Sequence, residues 1–146
     1  NESEFYKRIP ELRKACGDRA VMRAIHFYQE NARVPAQVEA LRAGDFDRFL
    51  MLVKQSGYSS YMYLQNVIPA GYKARQEVGI ALALCEHYLS GRGAYRVHGG
   101  GFAGTIQAFV PFDMVDGFVA AMDAVLGDGA CHILSIRPQG GVKMDV

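Results

Sequence analysis

The sequence has no tryptophan and only three cysteines in 146 residues. Cys16, Cys85 and Cys131 are odd in number, far apart and never in CxxC spacing. This arrangement favours buried, reduced thiols over a disulfide framework or a zinc site, and reduced thiols are typical of the cytoplasm. We therefore expect a cytoplasmic location and no metal site.

An excess of charge of one sign and a long hydrophobic run are also missing. Sixteen basic and fifteen acidic side chains are interleaved and give a formal net charge of +1. Such a balance does not point to nucleic acid or anionic lipid. No apolar run approaches the length of a membrane span, and Asn1–Glu4 has neither the basic start nor the apolar core of a signal peptide. We expect no nucleic-acid partner and no membrane partner.

An initiator methionine is absent, which suggests a processed chain or a piece of a longer one. Half of the residues are hydrophobic, and a chain of this length and composition can bury one core. We therefore predict a single domain over residues 1–146, with a helical part over about 5–90 and a sheet-containing part over about 93–146.

Apolar residues in the first part recur at intervals of three and four, which predicts amphipathic helices. The expected helices run to Cys16 with Gly17 as the stop, from Asp18 to about Ala32, from Pro35 to Gly44, from the capping Asp45 to a left-handed Gly57, and from about Tyr72 to Leu89. The tyrosine-rich residues 58–72 are compatible with a short helix or an irregular connection. Their tyrosines could line a sugar pocket, although half-buried tyrosines at a helix junction are commoner.

A polar row lies at helical spacing in the second helix. His26, Glu30 and Arg33 follow at i, i+4 and i+7, so they share one side of that helix. An interhelical or surface salt-bridge row is the favoured interpretation, and a ligand site is the alternative.

The periodicity changes from helical to alternating after Gly93, which predicts strands. The pattern predicts two strands around the glycines at 99–104, a helix over about 114–126, a strand over 131–137 and a short edge strand over 142–144. Strands that follow a helical run argue for an α+β fold, in which the helical half packs on a small antiparallel sheet.

Four glycines occupy six positions from Gly99 to Gly104 and fit the letters GxGxxG. A dinucleotide-binding loop would open a helix, whereas Thr105 begins a strand-like run here, and the Lys of a Walker loop is missing. Glycines still allow a ligand to approach the backbone closely, with its N–H groups free to point at an anion. A glycine-rich hairpin or bulge without a ligand is an equal alternative.

No catalytic constellation is visible in the sequence. The four histidines, His26, His87, His98 and His132, fall in four different predicted elements. His98 directly precedes the glycines and could contact an anion or a sugar hydroxyl, but a polar strand end that faces solvent explains it as well. We therefore assign no catalytic residue to this chain.

The stretch Gly93–Gly104, which reads GAYRVHGGGFAG, resembles the third signature motif of galactokinases, in the GHMP family of small-molecule kinases. Residues of the helical half are also similar in order and spacing to the galactokinase C-terminal domain. They are His26, Glu30, Arg33, Val34, Ala40, Leu41, Gly44, Asp45, Leu50 and Met51. The resemblance covers almost the whole chain and implies the ferredoxin-like fold of a GHMP kinase C-terminal domain.

The sequence departs from the commoner family pattern at several positions. His98 stands where a small hydroxyl residue is frequent, Ala103 where glycine is frequent, and Ser56-Gly57 where Ser-His is typical. The motifs of the family's catalytic N-terminal domain, a GRxNLIGEH-like stretch and a serine-rich phosphate loop, do not occur in these residues.

The resemblance implies one half of an enzyme that transfers the γ-phosphoryl group of MgATP to the anomeric hydroxyl of galactose. ATP and Mg²⁺ would then serve the full enzyme, and the N-terminal domain of the same polypeptide would be the partner of this chain. The loop residues Gly99, Gly100, Gly101, Phe102 and Gly104 would lie near the phosphates and the sugar, with Phe102 beneath the loop or bracing it. The isolated chain is expected to fold but not to phosphorylate galactose.

Two other functions remain open at this point. One is the C-terminal domain of another GHMP kinase with a different small-molecule substrate. The other is a non-catalytic module that senses a sugar or binds a ligand. An apolar face left without its N-terminal domain would also allow the fragment to dimerise.

Overall fold

Helices dominate the chain from its start to Leu89. A computed structural model describes residues 1–69, 71, 74–102 and 104–143. The elements are α1 (Glu2–Lys7), α2 (Ile9–Arg42), α3 (Phe46–Ser59), a π-helical turn (Ser60–Leu64), α4 (Glu77–Leu89), β1 (Ala94–Val97), β2 (Ile106–Phe109), a 3-10 turn (Phe112–Met114) and α5 (Val115–Leu126). Helices with a small antiparallel sheet confirm the predicted α+β class.

Helix α2 is longer than the sequence pattern predicts. Gly17 interrupts it with φ 80° and ψ 163°, as expected from the predicted stop. The predicted new helix at Pro35 is wrong, because Pro35 lies inside α2. Proline removes one hydrogen bond to the carbonyl four residues earlier. Packing of α2 against α3, which leaves Ala40 fully buried, keeps the helix continuous through this position.

Helix α3 begins as predicted but does not end as predicted. The Asp45 carboxylate accepts a hydrogen bond from the Arg48 backbone N–H at 3.0 Å, which is an N-cap. Gly57 lies inside the helix and is not the left-handed stop. A Cβ at this position would lie 3.0 Å from the Tyr95 carbonyl oxygen, so glycine lets α3 approach β1 closely.

The next helix, α4, is shorter than expected. The predicted start at Tyr72 lies outside the described residues, and α4 begins at Glu77. It ends at Leu89, where Ser90 takes the left-handed conformation with φ 46°.

Strands β1 and β2 form the antiparallel hairpin that the sequence predicts around the glycines. Ala94 lies opposite Phe109, and Val97 lies opposite Ile106. The His98 backbone N–H donates to the Thr105 carbonyl at 3.1 Å and extends the pairing by one step.

The main core lies between this hairpin and helices α4 and α5. Its buried members include Cys85, Leu89, Tyr95 and Met122. Burial raises the pKa of the Cys85 thiol to about 12, which agrees with an inert, reduced side chain. Helix α3 packs on β1 from the other part of the chain.

The predicted strand over 131–137 is wrong, since these residues have no regular secondary structure. Asp123 of α5 accepts hydrogen bonds from the backbone of Gly129 and Cys131, both at 3.1 Å. Beyond Cys131 no strand of the described sheet pairs with the segment, because the ladder joins only β1 and β2. The predicted edge strand is likewise absent at 142–143, and Met144 lies outside the described residues.

Within the described ranges, every helix is too short or too polar to cross a lipid bilayer.

Candidate functional site

The glycine-rich loop over 99–104 connects the paired ends of the hairpin. Its backbone takes positive φ at Gly99, Gly101 and Gly104, with Ala103 outside the described residues. A Cβ added at Gly99, Gly100 or Gly104 would meet no atom of the described residues within 4 Å. The loop backbone is therefore open to an approaching molecule at these positions.

Gly101 differs from its neighbours because it is pressed against another part of the chain. A Cβ at Gly101 would lie 2.2 Å from the Asn66 carbonyl oxygen, which is closer than any real contact. The φ of +78° is a second reason for glycine at this position.

Asn66 contacts three successive residues of the loop. Its side-chain Nδ2 donates to the Gly100 carbonyl at 3.2 Å, and its own carbonyl accepts from the Phe102 N–H at 3.1 Å. The residue is 2% exposed, and its Oδ1 is buried without a hydrogen-bond partner among the described residues. Asn66 was not among the residues predicted for the site.

His98 directly precedes this loop and Phe102 lies within it, and both side chains reach the surface. The His98 side chain is exposed and makes no hydrogen bond to any described residue. The Phe102 ring is 49% exposed, so it is only partly covered. A bound molecule could contact either side chain without a rearrangement of the core.

A network of polar side chains holds β1 to the helices just before the loop. Arg96 Nη1 donates to the Ser56 hydroxyl at 3.0 Å, and that hydroxyl donates to the Glu30 carboxylate at 2.6 Å. Glu30 also forms an ion pair with Arg33. Ser56 is 1% exposed, so the network is interior. The salt-bridge interpretation of the predicted row is confirmed for Glu30 and Arg33.

His26 makes a second polar contact between α2 and α3. Its Nδ1 lies 2.9 Å from the Ser59 hydroxyl, and that hydroxyl donates to the Gln29 side chain at 3.2 Å. Burial, and then the charges of Arg33 and Arg96, lower the pKa of His26. Burial also lowers the pKa of both guanidinium groups, although arginine stays charged at neutral pH. These side chains stabilise the junction between helix and strand.

Two surface cavities lie elsewhere on the described part of the chain. One, of about 770 Å³, lies between α3 and residues 91–93 and is lined in part by Lys54. The other, of about 410 Å³, lies between α3 and α4 and is lined by Tyr58, Tyr61 and Tyr95. No residue of the glycine-rich loop lines either cavity.

Metal ligands do not cluster in the residues the structure describes. No group of three histidine, cysteine, aspartate or glutamate side chains could hold a metal ion there.

Sequence patterns alone do not identify Asn66 or Ser56 as neighbours of the site region. Asn66 is 34 positions from Gly100, and Ser56 is 40 positions from Arg96. The charged Arg96 between two β-forming residues is a usable signal, because an arginine inside a buried strand needs an acceptor.

Curated proteins similar to this chain are bacterial galactokinases. The galactokinase of Actinobacillus pleuropneumoniae serotype 5b is 32% identical over 140 residues, which cover 96% of this chain and 32% of that protein. The galactokinase of Glaesserella parasuis serovar 5 is 32% identical over 113 residues, or 77% of this chain and 27% of that protein. A galactokinase of Haemophilus influenzae is 33% identical over the same length.

These similarities confirm the resemblance to galactokinases and fit a C-terminal fragment. The chain spans about a third or less of the length of these curated relatives. No protein-family model matches the chain. No solved structure matches it either.

Proposed function

We propose that this chain is the C-terminal domain of a sugar kinase that resembles galactokinase. The complete enzyme would transfer the γ-phosphoryl group of ATP to the anomeric hydroxyl of galactose. The N-terminal domain of the same polypeptide would supply the catalytic groups, and the described residues of this chain hold no cluster of three potential metal ligands.

The observation that carries this proposal is the length of the similarity. The aligned 140 residues include both the helical half and the glycine-rich hairpin, because they cover 96% of the chain. A short glycine motif arises on many unrelated folds, whereas agreement over helices, hairpin and loop together is far more specific.

The geometry of the loop fits a role in phosphoryl transfer. Phosphoryl transfer depends mainly on positioning and on stabilising charge at the transferred group. A Cβ built at Gly99 or Gly100 would have no described atom within 4 Å. An anionic or hydroxyl-bearing ligand can therefore reach the main chain there. When bound, MgATP would supply the phosphoryl group, and the loop would contribute fixed amide dipoles beside it.

The test uses the full-length gene product that contains this chain. A coupled assay would measure ATP consumption with galactose and with a panel of other sugars, isoprenoid alcohols and amino-acid precursors. Galactose-dependent turnover by a protein several hundred residues long would support the proposal. Turnover only with another substrate would favour a different GHMP-type kinase, and silence with every substrate would favour a sensing or binding module.

Two alanine variants test whether the loop takes part in this reaction. We expect Gly101→Ala to lower kcat/KM at least about tenfold, because a Cβ at 2.2 Å from the Asn66 carbonyl must displace the loop. Gly117→Ala in α5 is the matched control, since it adds the same methyl group outside the loop, where no described atom lies within 4 Å. Equal activity of both variants would show that the loop conformation does not matter for turnover.

A further inference from the structure

Asn66 contacts the loop in a way that a simple packing residue does not. Its backbone and its side chain together contact Gly100, Gly101 and Phe102. One buried residue thus fixes the orientation of two peptide groups in a loop that is otherwise open to solvent.

An unusual backbone conformation in the preceding residues places Asn66 at this position. The Gln65 N–H donates to the Ser60 carbonyl at 2.8 Å, which closes the π-helical turn after α3. Gln65 then takes the left-handed conformation with φ 57° and ψ 45°, which is unfavourable for a residue with a Cβ. Arg23 of α2 donates to the Leu64 carbonyl at 3.3 Å and holds the end of this turn. Packing around the turn therefore maintains a conformation that places Asn66 against the loop.

The carboxamide of Asn66 is only half satisfied. Its Nδ2 has an acceptor in Gly100, but Oδ1 is buried and no described residue donates to it. Buried acceptors are nearly always paired, because an unpaired one loses its hydration without compensation. A hydrogen bond to Oδ1 would therefore stabilise a loop conformation that brings an N–H or O–H group to this atom, relative to the present conformation.

We infer that Asn66 is a positioning residue for the glycine-rich loop, and that its Oδ1 gains a hydrogen-bond donor when the loop closes on a ligand. Asn66 does not itself act on the reacting groups. It orients the loop amides through Gly100 and Phe102, and the free acceptor makes the ligand-bound loop more ordered than the free loop. The reaction in question is the proposed sugar phosphorylation, so the kinetic part of this inference rests on that proposal.

The experiment uses the full-length protein with the variant Asn66→Asp. This change keeps the size of the side chain and one acceptor oxygen but replaces the Nδ2 donor that Gly100 requires. Asn66→Ala, which adds no buried charge, is the second variant in case the aspartate protein fails to fold. Asn31→Asp is the matched control, because it makes the same chemical change on an exposed part of α2.

The first readout is amide hydrogen exchange of the peptide that covers residues 99–105, with and without MgATP and galactose. We expect exchange in the free loop to rise about tenfold in Asn66→Asp and in Asn66→Ala, because both variants lack the Nδ2 donor, with no change in Asn31→Asp. Loop exchange within twofold of the wild-type rate would overturn the positioning role. Ligand-induced protection should be lost in Asn66→Ala, which has no acceptor, and unaltered protection in that variant would overturn the role of Oδ1.

The second readout is the effect of the variants on kcat and, separately, on the KM for ATP. A loop that positions the transferred group predicts a fall in kcat of about tenfold, with the KM for ATP changed less than twofold and the thermal midpoint nearly unchanged. A loss of activity that follows a fall in the thermal midpoint would indicate a structural role only and would overturn the inference. Absence of turnover in the wild-type protein would instead refute the proposed kinase function, while loop exchange would still decide the role of Asn66.

Discussion

Residues 94–97 and residues 133–136 are both rich in apolar side chains, but their surroundings differ. In β1, Ala94, Tyr95 and Val97 are 0%, 8% and 2% exposed. In the later segment, Ile133 and Ile136 are 75% and 86% exposed. The first segment pairs with β2 and is covered by helices, whereas the second has neither a partner strand nor a covering helix in the part of the chain that the structure describes.

The difference shows that β-forming residues make a strand only where a sheet edge and a covering layer are both present. β1 receives its ladder from β2, its cover from α4, and a close backbone approach from α3 at Gly57. Residues beyond Cys131 follow a tether, the hydrogen bond from the Cys131 N–H to Asp123, and belong to no described strand. Their apolar side chains therefore contribute little to the stability of this fold.

The test of this contrast with the largest expected effect replaces a leucine with alanine in each region. Leu89 is 1% exposed in the core beside Tyr95, and Leu134 is 86% exposed. We expect Leu89→Ala to lower the free energy of unfolding by about 2–5 kcal/mol. Leu134→Ala should change it by less than about 0.5 kcal/mol. Urea unfolding monitored by circular dichroism measures both, and similar losses for the two variants would refute the contrast.

A second pair of variants addresses the close approach of α3 to β1. Gly57→Ala places a Cβ 3.0 Å from the Tyr95 carbonyl and 3.2 Å from the Arg96 Cβ, so we expect a loss of about 1–3 kcal/mol. Gly117→Ala makes the same change in α5, where nothing lies within 4 Å. It should raise stability by up to about 1 kcal/mol, because alanine favours the helix. Thermal unfolding measures the change in stability of each variant. Stabilisation by both variants would mean that α3 can move away from β1 without a loss of stability.

Local signals in the sequence predicted much of the fold correctly. Asp45 caps α3 because its side chain satisfies a free amide in the first turn, and Gly17 interrupts α2 through its positive φ. The hairpin around the glycine-rich loop follows from β-forming residues on both sides of it. Each of these features depends on neighbours within a few positions, and such features can be read from the order of residues.

Long-range contacts account for what the sequence did not predict. Packing of α2 outweighs the helix-breaking tendency of Pro35. Ile133 and Ile136 favour a strand, but no described strand pairs with their segment. Glycine often ends a helix, but Gly57 lies inside α3, and its role is to allow close packing on β1, which follows nearly 40 residues later in the chain. The loop itself is evident in the sequence, whereas Asn66, which holds it, carries no local signal.

The smallest expected effect concerns pH at the junction of α2, α3 and β1. The pKa of His26 is lowered by burial and by Arg33 and Arg96, so the folded state binds its proton less readily than the unfolded state. Stability is therefore fully present above the unfolded pKa of about 6.5 and falls as the pH drops below it. We expect the thermal midpoint of the wild-type protein to decrease between about pH 7.5 and pH 5.5, and His26→Gln to reduce this slope.

His132 provides the matched control for that titration. It lies in the exposed segment after Cys131, so His132→Gln should leave the pH dependence of the thermal midpoint unchanged. The buried junction of α2, α3 and β1 would then differ from the exposed segment after Cys131 in its pH dependence as well as in its packing. A charge on His26 is opposed by two neighbouring guanidinium groups, those of Arg33 and Arg96. Equal slopes for both variants would show that the junction is open to water, and that Arg96 and Ser56 do not exclude it.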